Sequence, residues 1–265
     1  MSESFMPQVG GILSADIAVP EHEREMRFYS RVLCTGGKPL WRDDLMNSLG
    51  MPIVGLGART ADHAVLPQQW MPHIQVADVA ASAKRALELG GRELMHGKNE
   101  GGESQWAVLL DPNGAAFGLI PVAPADYVAA AKGADAATGR IAWLDLTVAA
   151  DVVAATRDFY CEVVGWSARG VAMKDAGEGY VDFCLHGPGG PGEAMAGICH
   201  ARGVNQEVPP VWMLYLPVGD LSESVRLVEE EGGKVLKSTR GKDGKYAYAW
   251  VQDPVGACLV LAASS

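Results

Sequence analysis

Positive charge is in short supply. The 22 Lys and Arg stand against 32 Asp and Glu, a formal net charge of −10. Such an excess argues against a nucleic-acid groove or an anionic membrane surface as partner. Cysteine is sparse too: Cys34, Cys161, Cys184, Cys199 and Cys258 are odd in number and form no C-x-x-C pair. Neither a disulfide framework nor a zinc ribbon is expected, and a reducing, cytoplasmic setting fits best. No run of about 18 apolar residues occurs, so no membrane-spanning helix is expected. Met1 to Val9 has no basic start leading into an apolar stretch, so no signal peptide is expected either. No G-x-G-x-x-G is read after a strand and no G-x-x-x-x-G-K-S/T occurs, which removes the main support for a nucleotide cofactor.

What the chain does hold is an ordinary globular mixture, 48% apolar and 20% charged. Its 265 residues suffice for two domains of ordinary size. Trp70-Met71 recurs as Trp212-Met213, an offset of 142 (212 − 70). At that offset Val76 returns as Val218, Asp78 as Asp220, Gly90-Gly91 as Gly232-Gly233 and Leu94 as Leu236. Asp111-Pro112-Asn113-Gly114-Ala115 returns as Asp253-Pro254-Val255-Gly256-Ala257. One building block is used twice. Low patterning and Pro, Ala and Gly enrichment mark a linker over 124–138, with a short helix expected at Asp126 to Lys132. The expected halves are therefore 1–123 and 139–265.

Each half opens with an alternating strand (Ile12 to Val19; Ile141 to Val148) followed by an amphipathic helix (Glu21 to Leu33; Asp151 to Val164). Phe28-Tyr29 and Phe159-Tyr160 on these helices are read as core. Further strands follow at Ile53 to Leu56 and Ala196 to Cys199, with Gly55 matching Gly197. A second unit begins at each Trp-Met strand. Asp78 and Asp220 stand where helix N-caps belong, Gly90 and Gly232 where left-handed C-caps belong, and Glu223 is placed to complete a capping box. Strands at Gln105 to Leu110 and Tyr246 to Val251 lead into the Asp-Pro-x-Gly turns, and Ala115 to Ile120 and Ala257 to Leu261 leave them. The chain thus reads as α+β with mixed sheets, in four strand–helix–strand units.

These pieces, in this order and repeated twice over nearly the whole chain, resemble the vicinal oxygen chelate superfamily of glyoxalases, bleomycin resistance proteins and extradiol dioxygenases. The matching motifs are Phe-Tyr-x-x-Val-Leu/Val after the first strand, the Val-x-Asp-Val/Leu helix start, Gly-Gly, and Asp-Pro-x-Gly before the last strand. The resemblance implies tandem βαβββ modules whose curved mixed sheets enclose a cavity. It also implies a divalent metal held by His, Gln or Glu from the first strand, the strand before the second helix, and the final strand. Counting along the motifs places those positions at Ser14 and Trp143, Met71 and Met213, and Gly118 and Val260. None of the six offers the nitrogen or carboxylate donor such a cation needs. The expectation is no metal, no other cofactor, and a disfavoured metal-dependent glyoxalase or dioxygenase chemistry.

Residues two apart on a strand share a face. Ser14 then lies with Asp16 and Ala18, and Trp143 with Asp145 and Thr147. Met71 lies with His73 and Gln75, and Met213 with Tyr215 and Pro217. Ser14, Met71, Gln75, Trp143, Asp145 and Met213 are expected to contact ligand. His73, Asp16 and Tyr215 are the catalytic candidates, because a carboxylate such as Asp16 orients an imidazole and raises its pKa. The structural alternative is that Asp16 and Asp145, alike in both halves, bond nearby backbone or Arg. His22, His63 and His96 read as solvated. His186 and His200 flank Gly187 to Gly192, read as a loop over the cavity.

Three functions follow. The first is a metal-free protein that binds or sequesters an aromatic or amphipathic compound, as monomer or homodimer. The second is a metal-independent lyase, isomerase or hydroxylase-like enzyme using His73 with Asp16 or Tyr215. The third is a purely structural or protein-interaction module.

Overall fold

The computed structural model describes residues 7–124, 139–190 and 192–264; the helix expected at Asp126 to Lys132 lies outside them. The elements run β1 (Ile12–Val19), α1 (His22–Leu33), β2 (Val54–Ala58), β3 (Met71–Val76), α2 (Val79–Glu88), β4 (Arg92–Lys98), β5 (Ser104–Leu110) and β6 (Ala116–Pro121). They continue as β7 (Trp143–Val148), α3 (Val153–Val164), β8 (Ser167–Asp175), β9 (Glu178–His186), β10 (Ala194–His200), β11 (Trp212–Val218), α4 (Leu221–Glu230), β12 (Lys234–Arg240), β13 (Tyr246–Gln252) and β14 (Cys258–Ala263). This is the α+β, duplicated βαβββ plan. Three modules are complete, with strand orders β3-β6-β5-β4, β7-β10-β9-β8 and β11-β14-β13-β12. In each, the first and last strands run parallel and the others antiparallel, so the sheets are mixed. The first module is abbreviated. It keeps β1, α1 and a parallel β2, while the segment between α1 and β2 holds only the isolated bridges Trp41↔Asn47 and Met46↔Pro52.

The described residues fall into two compact units, each taking one module from either half. One lies within Met1–Leu13, Met71–Ala130 and Leu144–Trp212; the other within Ser14–Trp70, Ala131–Trp143 and Met213–Ser265. In the first unit α2 packs on β5 and β6 and against α3. Its core alternates along the strands, with Ile74, Val76, Ala107, Leu109, Phe117 and Leu119 at most 1% exposed. In the second unit α1 packs against α4. There the Ser224 hydroxyl donates to Val32 O at 2.8 Å and lies 2.7 Å from the Thr35 hydroxyl. Arg27 and Arg31 both pair with Glu231.

The caps form as the sequence predicts, with one exception. Asp78 accepts from Ala81 N at 3.0 Å and Asp220 from Glu223 N at 2.9 Å. Gly90 and Gly232 sit at φ +88° and +87°, past the helix ends, where a side chain would be strained. Glu223 does not close a capping box, however. Its carboxylate accepts from Gly36 N at 3.4 Å, and the Asp220 N–H is taken by the Thr35 hydroxyl at 3.2 Å.

The two motifs that reveal the duplication are joined by the helix tyrosines. In the second unit the Trp70 indole donates to the Tyr29 hydroxyl (3.1 Å), which donates to Asp253 Oδ2 (2.7 Å). In the first unit Trp212 donates to Tyr160 (2.9 Å), which donates to Asp111 Oδ2 (3.3 Å). Each Asp also holds its own turn: Asp111 Oδ1 accepts from Asn113 N and Ala115 N, and Asp253 Oδ1 from Val255 N and Ala257 N. Phe28, Tyr29, Phe159 and Tyr160 are buried, as expected of core. The tyrosine hydroxyls are buried as well, and each finds a donor and an acceptor.

Candidate functional site

Strand pairing puts the sheet faces into rows that match between units. In the first unit Met95, Val108, Gly118 and His73 are aligned across β4, β5, β6 and β3. In the second, Lys237, Trp250, Val260 and Tyr215 are aligned across β12, β13, β14 and β11. Gly118 has a direct reason. A Cβ there would stand 2.8 Å from His73 Cδ2, so the imidazole occupies the space a side chain would need. Trp106 similarly lies over Gly97, whose Cβ would come 2.2 Å from the indole. That indole is exposed.

The expected ligand contacts divide between the units. Met71 is buried, His73 half-buried and Asp145 half-buried in the first unit. Gln75 is also there, but it is fully buried and its Oε1 accepts from Ala123 N at 2.9 Å. In the second unit Met213 is 1% exposed, Ser14, Trp143 and Tyr215 are half-buried, and Asp16 is exposed. The Asp16 carboxylate lies across Gly55, its parallel neighbour: a Cβ on Gly55 would come 2.1 Å from Asp16 Oδ1. Asp145 has the same register partner in Gly197. The Asp–Gly register pair therefore recurs in both units, and Gly55 makes room on its strand for the Asp16 carboxylate.

A polar cluster that sequence reasoning missed lies on β9 and β10. His200 donates to Asp182 Oδ1 through both its backbone N (2.9 Å) and its Nδ1 (2.8 Å). With Nδ1–H committed to the carboxylate, Nε2 carries the lone pair of the neutral ring. The Tyr180 ring meets the imidazole edge-on at 5.0 Å, and the Arg202 guanidinium covers Tyr180 at 4.7 Å. Cys199 lies nearby, with Sγ 4.0 Å from Asp145 Oδ1. Burial, then the Asp145 and Asp182 carboxylates, pushes its thiol far above the ordinary range, so it is not a ready thiolate nucleophile. The missed signal was Asp182: a strand residue 18 positions before His200 becomes its neighbour only through the antiparallel pairing of β9 with β10.

The other histidines are engaged as well. His22 Nε2 lies 2.8 Å from Leu56 O, and His96, in β4, lies between Glu93 (2.9 Å) and Ser104 (2.8 Å) rather than in solvent alone. The His186 Nδ1–H donates to Gly192 O at 2.9 Å. Gly187 to Gly192 does fit G-x-G-x-x-G and does follow a strand, contrary to the sequence reading. It leads into β10 rather than a helix, so no helix N-terminus stands behind it for a phosphate. The loop, with Gln8, Glu193 and Met195, borders an open cleft of about 370 Å³.

The residues present do not fit the superfamily's divalent metal. Among the aligned positions, Gly118 has no side chain and the space beside it is filled by His73, while Val260 faces Tyr215. Among the described residues no group of three or more His, Cys, Asp or Glu is placed to hold a metal ion. Nor is any helix among them long and apolar enough to cross a membrane.

Residues 14–120 match the glyoxalase-like domain family. The anthracycline biosynthesis protein DnrV of Streptomyces peucetius is 28% identical over 176 residues, covering 66% of this chain and 58% of DnrV. DauV of Streptomyces sp. (strain C5), also an anthracycline biosynthesis protein, is 30% identical over 142 residues, 47% of either chain. This chain spans about half the length of these curated relatives. Among solved structures, homoprotocatechuate 2,3-dioxygenase from Brevibacterium fuscum superposes with a TM-score of 0.54 at 14% identity, over 97% of this chain and 81% of that one. For 2,2',3-trihydroxybiphenyl 1,2-dioxygenase from Sphingomonas wittichii strain RW1 the TM-score is 0.51 at 17% identity, over 96% and 89%. At such identities the likeness shows fold alone. Residues 14–120 thus carry a glyoxalase-like domain, and the fold and repeated modules are consistent with the vicinal oxygen chelate superfamily.

Proposed function

We propose that the chain is a metal-free small-molecule-binding protein that binds or sequesters an aromatic or amphipathic organic compound. The observation that carries this reading is the pair of matched rows, in which Gly118 and Val260 stand where metal donors would be needed and their neighbours are apolar and aromatic side chains with a few polar groups. Faces of that composition suit organic ligands. The names of DnrV and DauV, which concern anthracycline biosynthesis, support an aromatic compound. Ser14, Met71, Trp143, Asp145 and Met213 are the proposed contacts, with Gln75 holding the backbone beside them. The halves 1–123 and 139–265 joined by 124–138 are proposed as the duplicated segments.

Two measurements test the reading. Purified protein analysed for metals is expected to hold none in stoichiometric amount; one zinc, iron, manganese or nickel per chain would sink the metal-free assignment. A thermal-shift screen with polycyclic aromatic compounds is expected to raise the melting temperature, since ligand at a hundred times its Kd stabilises by about 2.7 kcal/mol. No shift with any aromatic probe at saturating concentration would refute it.

The second reading is a metal-independent lyase, isomerase or hydroxylase-like enzyme. It is favoured by the Asp182–His200 pair, in which a carboxylate fixes the tautomer of an imidazole, and by His73 in the space that Gly118 leaves. Either imidazole then serves as the proton-transfer group.

A further inference from the structure

One sheet of the second unit carries a row of side chains that the fold does not require. Lys237, Trp250, Val260 and Tyr215 lie side by side across β12, β13, β14 and β11. The same four positions in the first unit, 142 residues earlier (237 − 95, 250 − 108, 260 − 118, 215 − 73), hold Met95, Val108, Gly118 and His73. Both sheets have the same strand order, so the scaffold closes equally well without the lysine or the indole.

The row is built as an aromatic face with a cation on it. Lys237 Nζ stands 5.2 Å from the Trp250 ring centroid. Tyr248 meets Trp250 edge to face at 5.0 Å and 83°, and Tyr215 lies 6.4 Å from Tyr248. Trp250 is buried, Tyr215 and Tyr248 are half-buried, and Lys237 is exposed. The surroundings reinforce the charge. Lys234, Lys237, Arg240, Lys242 and Lys245 crowd one hairpin against a single Asp243, in a chain whose net charge is −10. Aromatic rings offer flat apolar area, and a locally positive spot on an acidic protein draws anions to it.

Resting on the ligand-binding reading above, we infer that this row binds a planar aromatic compound carrying an anionic group, a carboxylate or a phenolate. The rings of Tyr215, Tyr248 and Trp250 take the ring system and the Lys237 ammonium takes the charge.

Isothermal titration calorimetry with 2-naphthoate and the uncharged 2-naphthalenemethanol, at low salt, tests the inference. The carboxylate is expected to bind about tenfold more tightly than the alcohol. Lys237→Met, which installs the residue found at the matching position, is expected to bring that ratio close to one. Lys237→Arg is expected to keep it, and so is Met95→Ala in the other unit. Equal affinities in the unaltered chain, or a ratio that survives Lys237→Met, overturn the anion site and leave the ligand-binding reading standing. Binding of neither compound removes both.

Discussion

Glu25 has no exposed surface, and neither of its carboxyl oxygens meets a hydrogen-bond partner. It lies beside Asp253, whose carboxylate accepts from Tyr29, Val255 N and Ala257 N. Burial first, and then the Asp253 charge, pushes the Glu25 carboxyl up to about 8. Burial raises the Asp253 carboxyl as well, but the donors from Tyr29, Val255 and Ala257 work against that rise. Glu25, which has no such donors, is the member of the pair that favours the proton. At the matching place in the first unit stand Thr156 and Asn113, which bond to each other at 2.9 Å. Because the folded value of Glu25 lies above the unfolded one, the folded state holds the extra proton between about pH 4.5 and pH 8. Stability from this group is complete below that window and is lost as pH rises through it, by at most about 1.4 kcal/mol per pH unit. Urea unfolding midpoints from pH 5 to pH 9 are expected to fall with pH in the unaltered chain, and less steeply in Glu25→Gln. Parallel slopes for the two would show that Glu25 is ionised in the fold. None of this is legible in the sequence, where Glu25 is simply an acidic residue early in an amphipathic helix.

At the scale of elements the sequence was a good guide wherever a signal is local. An Asp before a helix and a Gly after it act within one turn of chain, and both copies form as expected. Asp78→Ala and Asp220→Ala are each expected to lower the unfolding free energy by about 1 kcal/mol, read from chemical denaturation. Glu223→Ala is expected to change it less, since its contact to Gly36 N is long; a larger loss than for Asp220→Ala would restore the capping box. The long β8–β9 hairpin was not legible, because β8 is largely exposed and neither strand shows the clean alternation that marks a half-buried strand. Nor was the abbreviated first module, whose place between α1 and β2 is taken by a segment with two isolated bridges.

At the scale of the molecule, the Trp–Tyr–Asp relays tie together segments far apart in the chain. Tyr29 and Asp253 are 224 positions apart, and Tyr160 and Asp111 are 49 apart. Tyr29→Phe leaves the Trp70 indole without its acceptor and the Asp253 Oδ2 without the tyrosine donor, a loss of about 1–3 kcal/mol. Tyr160→Phe is expected to cost less, because its bond to Asp111 is long at 3.3 Å and Asn113 Nδ2 still reaches that carboxylate. Equal losses by thermal unfolding would mean the Asp253 network carries no extra weight.

The sequence by itself determined the α+β modules, their duplicated arrangement and the resemblance to glyoxalase-like domains, because periodicity, caps and turns are written in short-range residue chemistry. It also exposed the unsuitable donors at Met71, Met213, Gly118 and Val260. Only the tertiary structure decided that His73 fills the space left by Gly118, that Asp182 orients His200, and that Lys237 stands on Trp250. It likewise decided that each compact unit takes one module from either half. Those outcomes depend on strand register and on which distant segments meet, and sheet pairing sets both, through hydrogen bonds that no local pattern of residues encodes.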